Sequence, residues 1–376
     1  MRPPVVLLLP LLSCVQSVEV LTTSPDAGGS SGAFSLGAGD HHACAVRGGS
    51  LFCWGANSNG QLGVPDLESA PSPVAVGTDR SWVVVSAGEL HTCGLKQDGT
   101  VWCWGANGAG QCGQGDTQSR SSPSLVSLPR AAVGLQSKSS FSCALLSDAS
   151  LWCWGVNYEG QLGLGDRFPG ADQLTAARVS SDAGWKAFST GQGHACGIRV
   201  DGSLWCWGRN SESMLGMPAD GGIQYRSPQH IGVDTDWTSV DANQEYTCAL
   251  KADGSLWCWG LFPEKTGFVD RPALLLSGAW AMVRTNVFHG CGLSLSGAGV
   301  CWGRNIEGQL GLGDLDARPS PTALPDAPLS ELATGRFFTC QRRGNGSIWC
   351  TGANEAGQLG VGDLARRKVW TELSFP

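Results

Sequence analysis

The chain has 376 residues, of which 54 are glycine and 16 each cysteine and tryptophan, and only 15% are charged. A net charge of -7 shows no basic excess, which excludes the usual electrostatics of nucleic-acid binding, so no nucleic-acid partner is expected. This glycine-punctuated, tryptophan-rich composition fits a large all-β fold with a sizeable core.

Residues 1–20 read as an export segment: one arginine, an apolar run from Val5 to Leu12, then small or polar residues. That run is too short to span a bilayer. Within it Leu11-Leu12-Ser13-Cys14 resembles a lipobox, the bacterial motif at which a signal is cleaved and its cysteine lipid-modified. Three outcomes stay open, a lipid anchor on Cys14 in the cell envelope, secretion without it, or no export; export is the expected one, with membrane contact only through that anchor. Residues 21–32 include TTSPDAGGSSG, a flexible Ser/Gly/Pro-rich tether.

Residues 33–376 form a repeat array. Its clearest unit is Cys93 to Asp116, CGLKQDGTVWCWGANGAGQCGQGD, and copies begin at Cys44, Cys93, Cys143, Cys196, Cys248, Cys291 and Cys340. Seven units of about 50 residues have the period of a propeller or solenoid.

Asp-Gly between apolar residues signals a hairpin. If Cys93 faces Cys103 across an antiparallel pair, the loop is Gln97, Asp98 and Gly99, with glycine where φ must be positive. The same arithmetic centres later loops on Asp148, Asp201, Asp253, Ser296 and Asn345, with Ala149 alone replacing the following glycine. Cys44 and Cys53 are one residue closer, leaving the two-residue loop Gly48-Gly49 that a type I′ turn requires. On the other face Trp102 falls opposite Gly94, Trp152 opposite Ala144, Trp205 opposite Gly197 and Trp257 opposite Ala249. The small residues are expected to leave room for these indoles, a packing role rather than a ligand cage.

The spacing pairs fourteen cysteines as Cys44 with Cys53, Cys93 with Cys103, Cys143 with Cys153, Cys196 with Cys206, Cys248 with Cys258, Cys291 with Cys301 and Cys340 with Cys350. Paired thiols repeated at one spacing read as disulfides in an oxidising compartment. Zinc is the competing reading, but two cysteines per unit make a poor tetrahedral site, so no metal is expected. Cys112, in the leucine position of a Gly-Gln-Leu-Gly motif, is expected to be a buried free thiol.

After each hairpin comes a second signature: WGANSNGQLG at 54–63, WGANGAGQCG at 104–113, WGVNYEGQLG at 154–163, WGRNIEGQLG at 302–311 and TGANEAGQLG at 351–360. The fourth unit reads WGRNSESMLGMPAD and the fifth is shortened to WGLFPEKTGF. With these motifs the array resembles the regulator of chromosome condensation repeat family, in an exported, disulfide-bonded bacterial form. The resemblance implies an all-β, seven-bladed propeller with four-stranded antiparallel blades. The chain enters at Phe34 to Gly39 and leaves at Lys368 to Phe375, so the ring is expected to close by pairing of the N- and C-terminal strands. The family's eponymous member exchanges nucleotide on a nuclear GTPase, a partner that an exported acidic chain would not meet.

No residue set points to catalysis or a cofactor. His42, His91, His194 and His289 stand two residues before the first cysteine of their units, but Phe141, Tyr246 and Phe338 take the same position elsewhere, so a packing role is expected. The Asp-Gly-x-x-Trp strings differ from the sialidase Asp-box because their Asp and Gly are adjacent, and the Gly-x-Gly-Asp tails read as turns. The Gly-Trp-Arg-His-Thr motif of plant UV-B photoreceptors, which share the propeller, has no match.

The expected role is therefore a monomeric, non-catalytic propeller that binds a protein or surface glycan through loops on one face. Within the WGxNxxG loops and the shortened fifth unit, Tyr158, Phe262 and Ile306, with Glu159, Glu264 and Glu307, are the candidate binding residues. A secreted enzyme inhibitor resembling the propeller-type β-lactamase inhibitory protein is the alternative. A structural ectodomain like that of the plant crinkly-type receptor kinases is the third.

Overall fold

A computed structural model describes residues 34–165, 170–180, 183–219, 222–263, 267–325 and 328–376. The export segment, Cys14 and the tether lie outside them. The array folds as seven four-stranded antiparallel sheets, each built from four consecutive strands. Blade 1 runs Phe34–Ala38, His42–Arg47, Ser50–Ala56 and Ser69–Ala75, and blade 7 runs Leu329–Thr334, Phe338–Arg343, Ile348–Gly352 and Arg367–Glu372. Blades 2 to 6 begin at Trp82, Ala132, Trp185, Trp237 and Trp280.

The hairpin arithmetic holds. Cys93 pairs with Cys103 and Gly94 with Trp102, and Gly99 has φ +81°. Gly48 and Gly49 are both left-handed, at φ +55° and +82°, which matches the twist that a two-residue loop must follow. Ala149 adopts φ +60° without glycine's freedom. All seven predicted disulfides form, with Cα atoms 4.0–4.1 Å apart. Cys112 is free and buried, its thiol pushed up to about 12 by burial.

Two expectations are corrected. The small residue facing Trp102 makes room for a different indole: a Cβ on Gly94 would sit 2.5 Å from the ring of Trp82, on the first strand. Gly197 likewise clears Trp185. The ring also does not close by pairing the terminal strands. Phe34–Ala38 pairs only with its own hairpin, and Arg367–Glu372 is the outer strand of blade 7. The chain enters at a first strand and leaves at a fourth, so every blade is complete. Closure is by packing instead: Trp54 Nε1 donates to Gln358 O at 2.9 Å, and Phe375 packs edge-on against Phe52 and Trp54, its ring centroid 5.4 and 6.0 Å from theirs.

The first strands line the axis and have one edge without a strand partner, which leaves N–H groups to satisfy. A side chain of the preceding blade does this. Ser35 Oγ accepts from Val85 N–H (3.2 Å), Ser86 Oγ from Ser137 N–H (2.8 Å), Gln136 Oε1 from Thr190 N–H (2.8 Å) and Ser189 Oγ from Ala242 N–H (2.9 Å). Asp241 Oδ1 accepts from Thr285 N–H (3.0 Å), and Glu331 Oε1 accepts from Leu36 N–H (3.0 Å) across the closing junction.

Candidate functional site

In an antiparallel blade the loop from strand one to two and the loop from strand three to four emerge on the same face. The second of these is the WGxNxxG segment, and its motif residues build it. Asn57 Oδ1 accepts from Leu62 N–H at 2.8 Å, Asn57 Nδ2 donates to Val64 O at 2.9 Å, and Gln61 Oε1 accepts from Asn59 N–H at 2.9 Å. Gly60, at φ +81°, lies so close to the next blade that a Cβ would be 2.7 Å from Ser121 Cα. Asn107, Asn157, Asn210, Asn305 and Asn354 make the same bond to the residue five positions on. The Gly-x-Gly-Asp tails are turns, as expected: Asn107 Nδ2 donates to Asp116 O at 2.8 Å, and Asp116 pairs with Arg120 at 2.7 Å. Each rigid loop thus carries two variable residues between its Asn and Gly.

Of the predicted binding residues, Tyr158 and Ile306 are 61% and 50% exposed on this face. Glu159 lies over blade 4, its Cγ 3.5 Å from the position a Cβ on Gly193 would take, and Glu307 pairs with Arg366 of blade 7 at 3.4 Å. Tyr158 belongs to blade 3 and Ile306 to blade 6, so the ring holds the two pairs apart. Phe262 is a correction: it is only 4% exposed, and its ring stacks on Trp302 at 6.0 Å and 9°. The shortened fifth unit has no Gly-Gln-Leu-Gly segment, and Phe262 fills the space that segment takes elsewhere. Glu264 lies outside the described residues.

Sequence reasoning missed Lys138. It ends the first strand of blade 3, crosses the axis, and donates to Ala242 O (2.8 Å) and Thr285 O (2.7 Å), with Asp241 Oδ1 at 3.5 Å. Burial pushes its ammonium down while Asp241 pulls it up. Below it runs an axial channel of about 500 Å³; above it a shallow vestibule is bordered by Asp40, Glu89, Gln192, Asn243, Asn286 and Arg336. A signal was present: five residues before the first cysteine the other units have Gly39, Gly88, Gly191, Asn243, Asn286 and Gly335, and only this one has a long cation. At the vestibule rim Arg336 pairs with Asp40 at 3.0 Å, while Phe288 stacks on Phe337 at 4.8 Å. Burial pushes the Asp40, Glu89 and Glu245 carboxyls up.

The histidines are internal. His42 Nε2 meets Thr92 Oγ1 of the next blade at 2.8 Å, and Thr92 Oγ1 donates onward to Gln61 O at 2.8 Å. The hydroxyl proton being spent there, His42 donates from Nε2 and its Nδ1 is bare. His91, His194 and His289 bridge to Ser142, Thr247 and Thr339 alike, and burial pushes all four histidines down to about 3. The Asp-Gly-x-x-Trp strings are also local structure: Asp98 Oδ1 accepts from the amide and hydroxyl of Thr100, whose hydroxyl accepts from Trp102 Nε1 at 3.0 Å. Among the described residues no three His, Cys, Asp or Glu gather as metal ligands.

Comparison with known proteins agrees with this geometry. The regulator of chromosome condensation (RCC1) repeat matches at residues 48–95 and 98–145, and a second description of the same repeat at 82–111, 133–161, 185–213 and 237–262. No curated protein sequence matches the chain. Among solved structures, yeast RCC1 (Prp20) bound to Kap60 superposes with a TM-score of 0.80 at 19% identity, over 100% of this chain and 91% of that one. Saccharomyces cerevisiae Prp20p, described with its binding to Gsp1p and histones, gives 0.79 at 21% over 92% and 87%. Human WBSCR16 gives 0.78 at 21% over 87% and 95%. At these identities the likeness is one of fold.

Proposed function

This chain belongs to the regulator of chromosome condensation repeat family, and on that premise we propose that it is a non-catalytic binding propeller that recognises a protein through its WGxNxxG face. The observation that carries this reading is the repeated Asn-held loop, built six times to one geometry with different residues at its tip. A rigid scaffold with variable tips separates folding from recognition. That structural neighbours are described with Kap60, Gsp1p and histones supports a protein partner as a class. Seven disulfides belong to an oxidising compartment, which makes the partner an extracytoplasmic or surface protein. Whether the chain is anchored through Cys14 or diffuses freely would decide if it gathers partners at a surface or meets them in solution.

Crosslinking in the native envelope, with the linker placed at residue 158 or 306, tests this. One or a few proteins crosslinked above the level of a linker at residue 98 on the opposite face are expected. Equal labelling from all three positions would overturn the reading. Intact mass with and without reduction reports the seven disulfides and the fate of Cys14 in the same preparation.

A further inference from the structure

The two faces of the ring differ in charge. Among the described residues, the loops on the WGxNxxG face hold fourteen carboxylates and three arginines, and their bordering strand ends add five cations, an excess of six negative charges. The opposite face, taken the same way, sets eight carboxylates against eight cations.

Some of the acidic groups are committed to the loops themselves. Asp116, Asp314 and Asp363 each pair with the arginine four residues on. Asp66, Glu68, Glu159, Glu245 and Glu355 have no ion pair among the described residues, and they spread over blades 1, 3, 5 and 7. Apolar side chains accompany them. Leu67, Tyr158, Ile223, Phe268, Ile306 and Leu364 are 37–68% exposed, one on the outer loop of each of six blades. The opposite face exposes Val200, Val233 and Leu295 on its hairpins and links. With Lys138 across the axis, the acidic face has an occupied centre rather than an open bore.

Exposed large apolar groups among unpaired carboxylates form a surface whose complement is cationic and amphipathic. Resting on the protein-binding reading, we propose that this face docks a basic polypeptide, its lysines or arginines meeting the acidic loops and its apolar side chains seating among Tyr158, Ile306 and their counterparts. The long-range field of the face would draw such a partner in, and the apolar tips would hold it. A neutral glycan would use the apolar tips and leave the carboxylates idle.

The test uses the full folded chain and a peptide of alternating lysine and leucine, with an all-lysine peptide, a glutamate–leucine peptide and neutral oligosaccharides as comparators. Three variants are measured: Glu159→Gln with Glu245→Gln and Glu355→Gln; Tyr158→Ser with Ile306→Ser; and Asp79→Asn with Asp234→Asn on the opposite face. The lysine–leucine peptide should bind the parent more tightly than any comparator. Its affinity should fall about tenfold in each of the first two variants and on raising salt from about 50 to about 300 mM, and should hold in the third. Loss in the third variant alone, indifference to the first two, or preference for an oligosaccharide would overturn the proposal. The envelope crosslinking separates this from the broader reading: a partner linked through the acidic face but itself acidic sinks the basic-partner proposal and leaves protein binding standing.

Discussion

Around the buried third-strand tryptophan, blades 1 and 2 meet through hydrogen bonds, whereas blades 5 and 6 meet there through packed rings. At the first junction Trp104 Nε1 donates to Gln61 O at 2.9 Å, and His42, Thr92 and the same carbonyl form a second line of contact. At the other junction Tyr246 replaces the histidine, Phe262 replaces the Gly-Gln-Leu-Gly segment, and the rings of Tyr246, Phe262 and Trp302 pack in sequence. Both arrangements fill the space beside a buried third-strand tryptophan. At that position one uses directional bonds that proton uptake can break, and the other a ring cluster held by dispersion and apolar burial.

Acid should separate them most strongly. The four histidines are folded as neutral bases near 3 and unfold to bases near about 6.5, so the unfolded chain binds more protons between those values. Their contribution to stability is whole above about pH 6.5 and is lost as pH falls toward 3, at up to about 1.4 kcal/mol per pH unit for each histidine. Denaturant melts from pH 7 to pH 4 should show this fall, and His91→Phe, which copies Phe141 and Phe338, should lower its slope. An unchanged slope would mean that His91 takes up no extra proton on unfolding over this range.

Phe262→Ala should cost about 3–5 kcal/mol in the same melts, because it empties the space between Tyr246 and Trp302. A cost below about 1 kcal/mol would show that the fifth unit's loop is not part of the core. A finer comparison sets Trp104→Phe against Trp302→Phe. The first deletes an indole bond and should cost about 1 kcal/mol more than the second, where that junction's Gln carbonyl is absent. The smallest effect is expected in the hairpin of blade 3: Ala149→Gly should raise stability by about 0.5–1 kcal/mol, since alanine at φ +60° carries a steric cost that glycine does not.

Most of the fold is legible in the chain because its determinants are local. The distance from Cys93 to Cys103 sets the loop length, the loop length sets which residue needs positive φ, and Gly99 stands there. The candidate site is only partly legible. Tyr158 and Ile306 sit in loops whose shape their own Asn and Gln dictate, so their exposure follows from the motif. Phe262 defeats the same logic because the motif around it is broken, and an apolar side chain without a scaffold turns inward to the nearest gap. Lys138 was visible as an exception in a column of Gly and Asn, but its acceptors are more than one hundred residues away.

The sequence by itself determined the central hairpin of each blade: its register, disulfide pairing and turn are encoded within about a dozen residues, at separations where alternation and loop geometry leave few choices, while the four-stranded blade followed from the family resemblance. The tertiary structure alone decided what happens between blades. Ring closure without strand exchange, the clearance of Trp82 by Gly94, the lysine across the axis and the gathering of charge on one face each depend on residues from different repeats. Such contacts are set by the shape of the closed ring, and no spacing along the chain records it.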